Sequence, residues 1–188
     1  MVPDVDLAVT KQPSGPHGQP EQDREADPES VARAIVLRQL TQSPKSRHQL
    51  ARKLAERNVP EDIAQHVLDR FEEVQLIDDS EFASMWVRSR SESRKLAPAA
   101  LRRELADKGI DPETAESALA QISADDEESA ARSLVQRKIR PGMDLSEREA
   151  RDKHTRRLAA MLARKGYQPS LAFRVVSEVL DQAGTLNE

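Results

Sequence analysis

The chain has 188 residues, 29 Lys and Arg against 33 Asp and Glu, 3% aromatic side chains and no cysteine. That excludes disulfide staples, thiolate metal sites and cysteine nucleophiles, and it suits a reducing cytosol, where the protein is expected. With no apolar run approaching the ~18 residues of a membrane helix, no basic-then-apolar start in MVPDVDLAVTKQPSG, and 33% charged residues beside few β-branched and aromatic ones, the composition predicts an all-α soluble protein.

Residues 1–29 stand apart. They hold Pro3, Pro13, Pro16, Pro20 and Pro28, with Gly15 and Gly18, and seven acids against two bases, a net of −5. Such a segment has too little apolar surface to offset its ordering entropy, which predicts a disordered acidic leader. It is a solubilising segment or a flexible competitor for a basic groove. The remaining 159 residues then net +1 against −4 for the whole chain, so the acidic total misrepresents the folded part.

From residue 30 the chain repeats itself. A first helix over 30–41 carries Val31, Ala34, Ile35 and Leu37. Ser46 with Gln49 fits a capping box and opens HQLARKLAERNVPEDIAQHVLDRF, residues 48–71. Asp78-Asp79 starts the next helix, with Phe82, Trp86, Val87 and Arg90 at helical spacing; AALRRELADKGIDPETAESALAQI, residues 99–122, follows. Asp125-Asp126 starts a third unit with Ala130, Ala131, Leu134 and Val135; Pro141-Gly142 interrupts it, and Ser146 with Glu149 opens a long helix leading into TRRLAAMLARKGYQPSLAFRVVSEV, residues 155–179. Leu50 and Leu54 align with Leu101 and Leu105, then with Leu158 and Leu162; four apart, each pair lies on one helix face. Asn58, Gly109 and Gly166 follow, where a helix end wants a left-handed residue. Pro112 and Pro169 then suit the first position of the next helix.

The expected fold is all-α: three tandem three-helix modules in an elongated arrangement. They cover 30–77, 78–124 and 125–184, with a tail at 185–188. A core of this size alone supplies only ~3–5 kcal/mol, and Phe71, Phe82, Trp86, Tyr167 and Phe173 are the aromatics available to the three, so neighbouring modules are expected to share apolar surface. The structural positions are Phe82, Trp86, Leu101, Leu105, Gly109, Leu158, Leu162 and Gly166.

Catalytic signals are missing. His17, His48, His66 and His154 are scattered without metal-ligand spacing, and there is no phosphate loop or nucleophile elbow. Paired acids such as Asp78-Asp79 suit helix starts. We expect a binding protein rather than an enzyme, with no cofactor and no metal.

Basic residues gather at 45–57 in module one and at 88–103, 132–140 and 148–165 in modules two and three, while acids gather at 72–81, 111–116 and 125–128. A near-neutral protein can thus carry a basic face for phosphates or for an acidic protein surface; solvated helix faces laced with local pairs are the alternative. The candidates for partner or DNA contact are Arg88, Arg90, Arg94, Lys95, Arg102, Arg103, Arg137, Lys138, Arg156 and Arg157. Phe82 and Trp86 read as core. Arg90 is open between a cation over the indole, an internal ion pair and a partner contact.

The stretch DDSEFASMWVRSRSESRKLAPAALRRELADKGIDPETAESALAQI resembles the second module of RecX, the bacterial regulator of the RecA recombinase. Asp-Asp, Phe, Trp, Arg, Leu-Arg-x-Glu-Leu and Lys-Gly-Ile occur in the family's order, and the likeness extends over roughly 30–184. Lys95-Leu96-Ala97-Pro98 departs from the Arg- or Gly-rich stretch of many relatives. The resemblance implies a curved, elongated, cytoplasmic monomer that lies along the RecA–single-stranded-DNA filament. It implies suppression of filament growth, ATP hydrolysis, strand exchange and co-protease activity in recombination and SOS repair, together with weak DNA binding and no membrane contact. The rival readings are a helix-turn-helix transcriptional regulator, which a short Gly turn between helices fits loosely, and a helical scaffold for another protein.

Overall fold

The computed structural model describes residues 27–140, 143, 145 and 147–185. The leader up to residue 26, Pro141-Gly142, Asp144, Ser146 and residues 186–188 lie outside the described residues. Within them the chain forms nine helices and no strand: α1 (Pro28–Gln42), α2 (Arg47–Ala55), α3 (Glu61–Glu73), α4 (Asp79–Arg94), α5 (Pro98–Asp107), α6 (Pro112–Leu119), α7 (Ala124–Gln136), α8 (Arg148–Arg164) and α9 (Pro169–Thr185).

The helix starts follow from short polar side chains that satisfy free amides. Asp27 accepts from the amides of Glu29 and Ser30 at 3.4 and 3.3 Å. With Pro28 in the first turn, α1 begins two residues before the expected position. Ser46 and Gln49 form the expected reciprocal box. Asp78 caps α4 through the Glu81 amide at 2.8 Å, and Asp111 caps α6. Helix α7 is capped by Ser123 in a box with Asp126, so it starts ahead of the Asp125-Asp126 pair expected to open it. At α8 the N-cap is Glu147, and the expected Ser146 box falls on a residue outside those described.

The three helix-two ends are built alike. Asn58, Gly109 and Gly166 have φ of 55°, 76° and 91°. The amide after each reaches back to the last buried leucine carbonyl: Val59 to Leu54 at 3.2 Å, Ile110 to Leu105 at 3.1 Å, Tyr167 to Leu162 at 3.2 Å. This is the six-residue Schellman closure, and it turns each helix pair at the same place.

Extensive helix packing is confined to α1–α3, α4–α6 and α7–α9. Each triplet encloses its own core. Val36, Leu50, Leu54, Leu68 and Phe71 fill the first, Phe82, Val87, Leu101, Leu105 and Ile110 the second, and Val135, Leu158, Leu162, Tyr167 and Val176 the third. Each fully buried leucine contributes about 1.5–3 kcal/mol. Two expectations change. Phe173 is 50% exposed and is no core aromatic, because it lies on the outward face of α9. The modules scarcely pool apolar surface: only Ala97, from the second, belongs to another triplet's core.

Polar contacts join the triplets instead. At the first junction, the buried Ser46 hydroxyl donates to the Lys108 carbonyl at 2.6 Å, and the Arg47 amide donates to Asp79 Oδ1 at 2.8 Å. At the second, the Ala97 amide donates to the Lys165 carbonyl at 3.0 Å. Lys165 Nζ donates to the Arg94 carbonyl at 2.6 Å, and the Tyr167 hydroxyl to the Lys95 carbonyl at 3.0 Å. The register is shared: the start of helix two in one module sits on the carbonyl just before the turn glycine of the next. That approach gives the glycines a second reason. A Cβ on Gly109 would lie 2.3 Å from His48 Cβ, and one on Gly166 2.5 Å from the Ala100 nitrogen. Asn58 occupies the same turn of the first module, where no other module presses on it among the described residues.

Candidate functional site

The structure sorts the ten candidate cations by whether their charge is already used. Arg90 is internal. Its Cζ lies 4.2 Å from the Trp86 ring centroid and its Nε 3.6 Å from Glu104. Trp86 in turn donates from Nε1 to Glu104 at 2.8 Å, stacks on Phe82 at 5.8 Å and carries Lys108 Nζ on its ring at 4.7 Å. The open question about Arg90 closes on the cation–π and ion-pair readings together. Arg102 is also engaged, gripping Glu116 with Nε and Nη2. That hydrogen bond holds the Glu116 carboxyl below its ordinary range and raises the guanidinium. Neither belongs to a free basic face.

Other arginines are staples between helices. Arg132 reaches Glu128 and Glu178 at 3.0 and 2.5 Å. Arg174 reaches Glu128 at 2.8 Å, and Arg151 pairs with Asp181. In the first module Arg47 spans Glu72 and Asp69 at 2.6 and 2.7 Å. Pairs this exposed are worth little singly, but each removes a cation from the field available to a partner.

Arg88, Arg94, Lys95, Arg103, Arg137, Lys138 and Arg157 keep side chains with no ion pair or hydrogen bond among the described residues. Arg156 touches only the Asp152 carbonyl, at 3.3 Å. Two places bring such groups together. Arg88 and Lys95 share a cleft of about 520 Å³ between α4 and α7 with Glu92, Asp126 and Glu127, so its charge is mixed. Burial pushes the Glu127 carboxyl up; burial, and then the Glu127 charge, push the Tyr167 phenol up to about 12. Lys138 and Arg157 meet in a second groove, of about 590 Å³, with Arg140, Arg164 and His154 above Leu158 and Met161. No carboxylate lines it among the described residues. Arg140, His154 and Arg164 were not among the candidates. For His154 and Arg164 a signal was available: 154, 157, 161 and 164 fall on one helix face.

Helix α6, where a helix-turn-helix protein would read bases, carries Glu113 and Glu116 and no basic residue. Among the described residues there is no group of His, Asp and Glu able to hold a metal ion, and no helix long and apolar enough to cross a membrane.

Comparison with known proteins follows the same divisions. Residues 32–71 match the family model described as the first three-helix domain of RecX, and residues 78–119 the second. A regulatory protein RecX of Streptomyces coelicolor is 49% identical over 158 residues, 84% of this chain and 82% of the relative. One of Thermobifida fusca is 42% identical over 81% of this chain and 80% of its own length. Among solved structures, a regulatory protein RecX superposes with a TM-score of 0.68 at 25% identity, over 81% of this chain and 73% of that one. RecX from Lactobacillus salivarius shares the fold, with a TM-score of 0.70 at 21% identity over 82% of this chain and 97% of that one.

Proposed function

The chain belongs to the RecX family of regulatory proteins, and on that footing we propose that it binds the RecA–single-stranded-DNA filament and restrains RecA in recombination and SOS repair. The restrained activities are ATP hydrolysis, strand exchange and co-protease function, and the protein acts as a cytoplasmic monomer. The observation that carries this reading is a serial one: three like modules in fixed register, with unpaired cations on the second and third. A filament repeats one site along its length, and linked weak contacts gain roughly 10²–10⁴ in avidity there without any single strong one. The contact set is Arg88, Arg94, Lys95, Arg103, Arg137, Lys138, Arg156 and Arg157; Arg90 and Arg102 support it through their ion pairs within the second module.

The test is a titration of RecA ATPase on single-stranded DNA. The chain inhibits at levels below one per RecA, and Arg88→Glu with Arg103→Glu weakens inhibition at least tenfold with helical circular dichroism unchanged. ATP hydrolysis indifferent to the purified protein overturns the reading; inhibition untouched by the double reversal overturns the residue assignment.

A further inference from the structure

We propose that the groove between the end of α7 and the face of α8 is a binding site for single-stranded nucleic acid, holding phosphates on its rim and a base on its floor. The proposal deepens the filament reading by assigning its nucleic-acid contact to the third module, and its test needs no recombinase, so the two can fail separately.

The rim consists of Lys138 and Arg140 on one wall and Arg157 and Arg164 on the other. All four side chains are exposed, and none has a partner among the described residues. Elsewhere in this module Arg132, Arg151 and Arg174 each hold an acid, while Arg137 and Arg156, which pair with none, do not line this groove. Four uncommitted cations converging where no carboxylate of the described residues lines the wall favour an anion. Arginine's planar fork grips phosphate oxygens in pairs.

The floor decides which anion. Leu158 is buried and Met161 half-buried beneath the rim, with the half-buried His154 beside them. A duplex turns sugars and phosphates outward and keeps its base faces stacked, so it has nothing apolar to lay on this floor. A single strand carries a charge at every nucleotide and offers a flat base face beside it. Methionine's polarizable thioether suits a flat π-face without demanding a particular base. Along α8 the line from His154 to Arg164 runs ten residues, about 15 Å at 1.5 Å per residue, room for roughly three nucleotides. An acidic peptide would need an apolar residue set among several carboxylates to match what each nucleotide supplies unaided.

The experiment uses the full chain and a fluorescein-labelled oligothymidylate, read by anisotropy across a salt series. For single strands the affinity falls with salt at a slope of about −0.7 per phosphate neutralised. Arg157→Gln with Arg164→Gln should weaken binding at least tenfold and flatten that slope by about 1.4. Lys138→Gln with Arg140→Gln attacks the groove from the other wall and should do the same, so a folding defect in one pair does not blunt the test. Met161→Ala should lower affinity for oligothymidylate about threefold or more and leave an abasic strand of equal length unaffected. Three results overturn the proposal: full affinity in both folded double variants, duplex bound as tightly as single strand, or poly-glutamate of equal charge displacing the strand as well as oligothymidylate does.

Discussion

At the junction of the first and second modules, the hydrogen bonds depend on a serine hydroxyl and an aspartate carboxylate. At the junction of the second and third, an amide, an ammonium and a phenol reach main-chain carbonyls, and Ala97 enters the next core. The register is common, but only the second junction adds buried apolar contact. One geometry can therefore be held by different chemistry, and the chemistry sets how firmly. The first module should come away from its neighbour at lower denaturant than the third does.

Mutations at the three equivalent turns sharpen that contrast. Gly166→Ala is expected to cost the most, about 3 kcal/mol or more, since a left-handed alanine costs ~1–2 kcal/mol and its Cβ meets the Ala100 backbone, which cannot move aside. Gly109→Ala should cost nearly as much, because its Cβ meets His48 Cβ at 2.3 Å, an atom fixed by the α2 backbone that no rotamer change removes. Asn58→Ala, with no module pressing on it, should lose about 1 kcal/mol from its backbone conformation alone. Urea unfolding midpoints measure the series, and an equal cost at all three turns would break the idea that inter-module approach selects glycine.

Next in size is Ser46→Ala, which removes the Lys108 hydrogen bond and a helix cap at once, about 1–2 kcal/mol. Hydrogen exchange should show the loss as faster opening around α2 and the Lys108–Ile110 turn, with the Lys165–Tyr167 turn unaffected. Exchange rising equally at both junctions would count against their independence.

The smallest effect concerns Asp79. Burial raises its carboxyl above the ordinary aspartate value, against the lowering influence of the Arg47 amide. The folded state then holds the proton more tightly than the unfolded one, so Asp79 favours folding at pH below its ordinary value, and that contribution is lost as pH rises through the raised one. Asp79→Asn keeps an acceptor for the Arg47 amide and removes the charge. It should leave stability at neutral pH equal or a few tenths of a kcal/mol higher, and flatten the stability-versus-pH curve over the weakly acidic range. Undiminished pH dependence in the variant would show that other groups set the curve.

The fold was largely legible because its determinants are local. Leucines four apart, the Schellman turns and Pro112 act within a few residues of one another, and periodicity exposes them. The junctions were not legible. Ser46 meets Lys108 across 62 positions and Tyr167 meets Lys95 across 72, and nothing near Ser46 shows that its hydroxyl does more than cap α2. The same limit governs the cations. A cluster count cannot tell Arg103, which is free, from Arg102, whose acid lies 14 residues away. Lys138 and Arg140 were visible as charge but not as one wall of a groove, because α8 supplies the other.

The chain has a single tryptophan, and it lies beside the junction of the first and second modules. The residue whose ammonium rests on the indole, Lys108, also supplies the carbonyl that Ser46 engages. Light emitted by this protein on indole excitation therefore comes from one address, a ring that touches the residue the first module holds. An unlabelled sample in a fluorimeter thus carries its own gauge of whether that seam stays shut when a partner arrives.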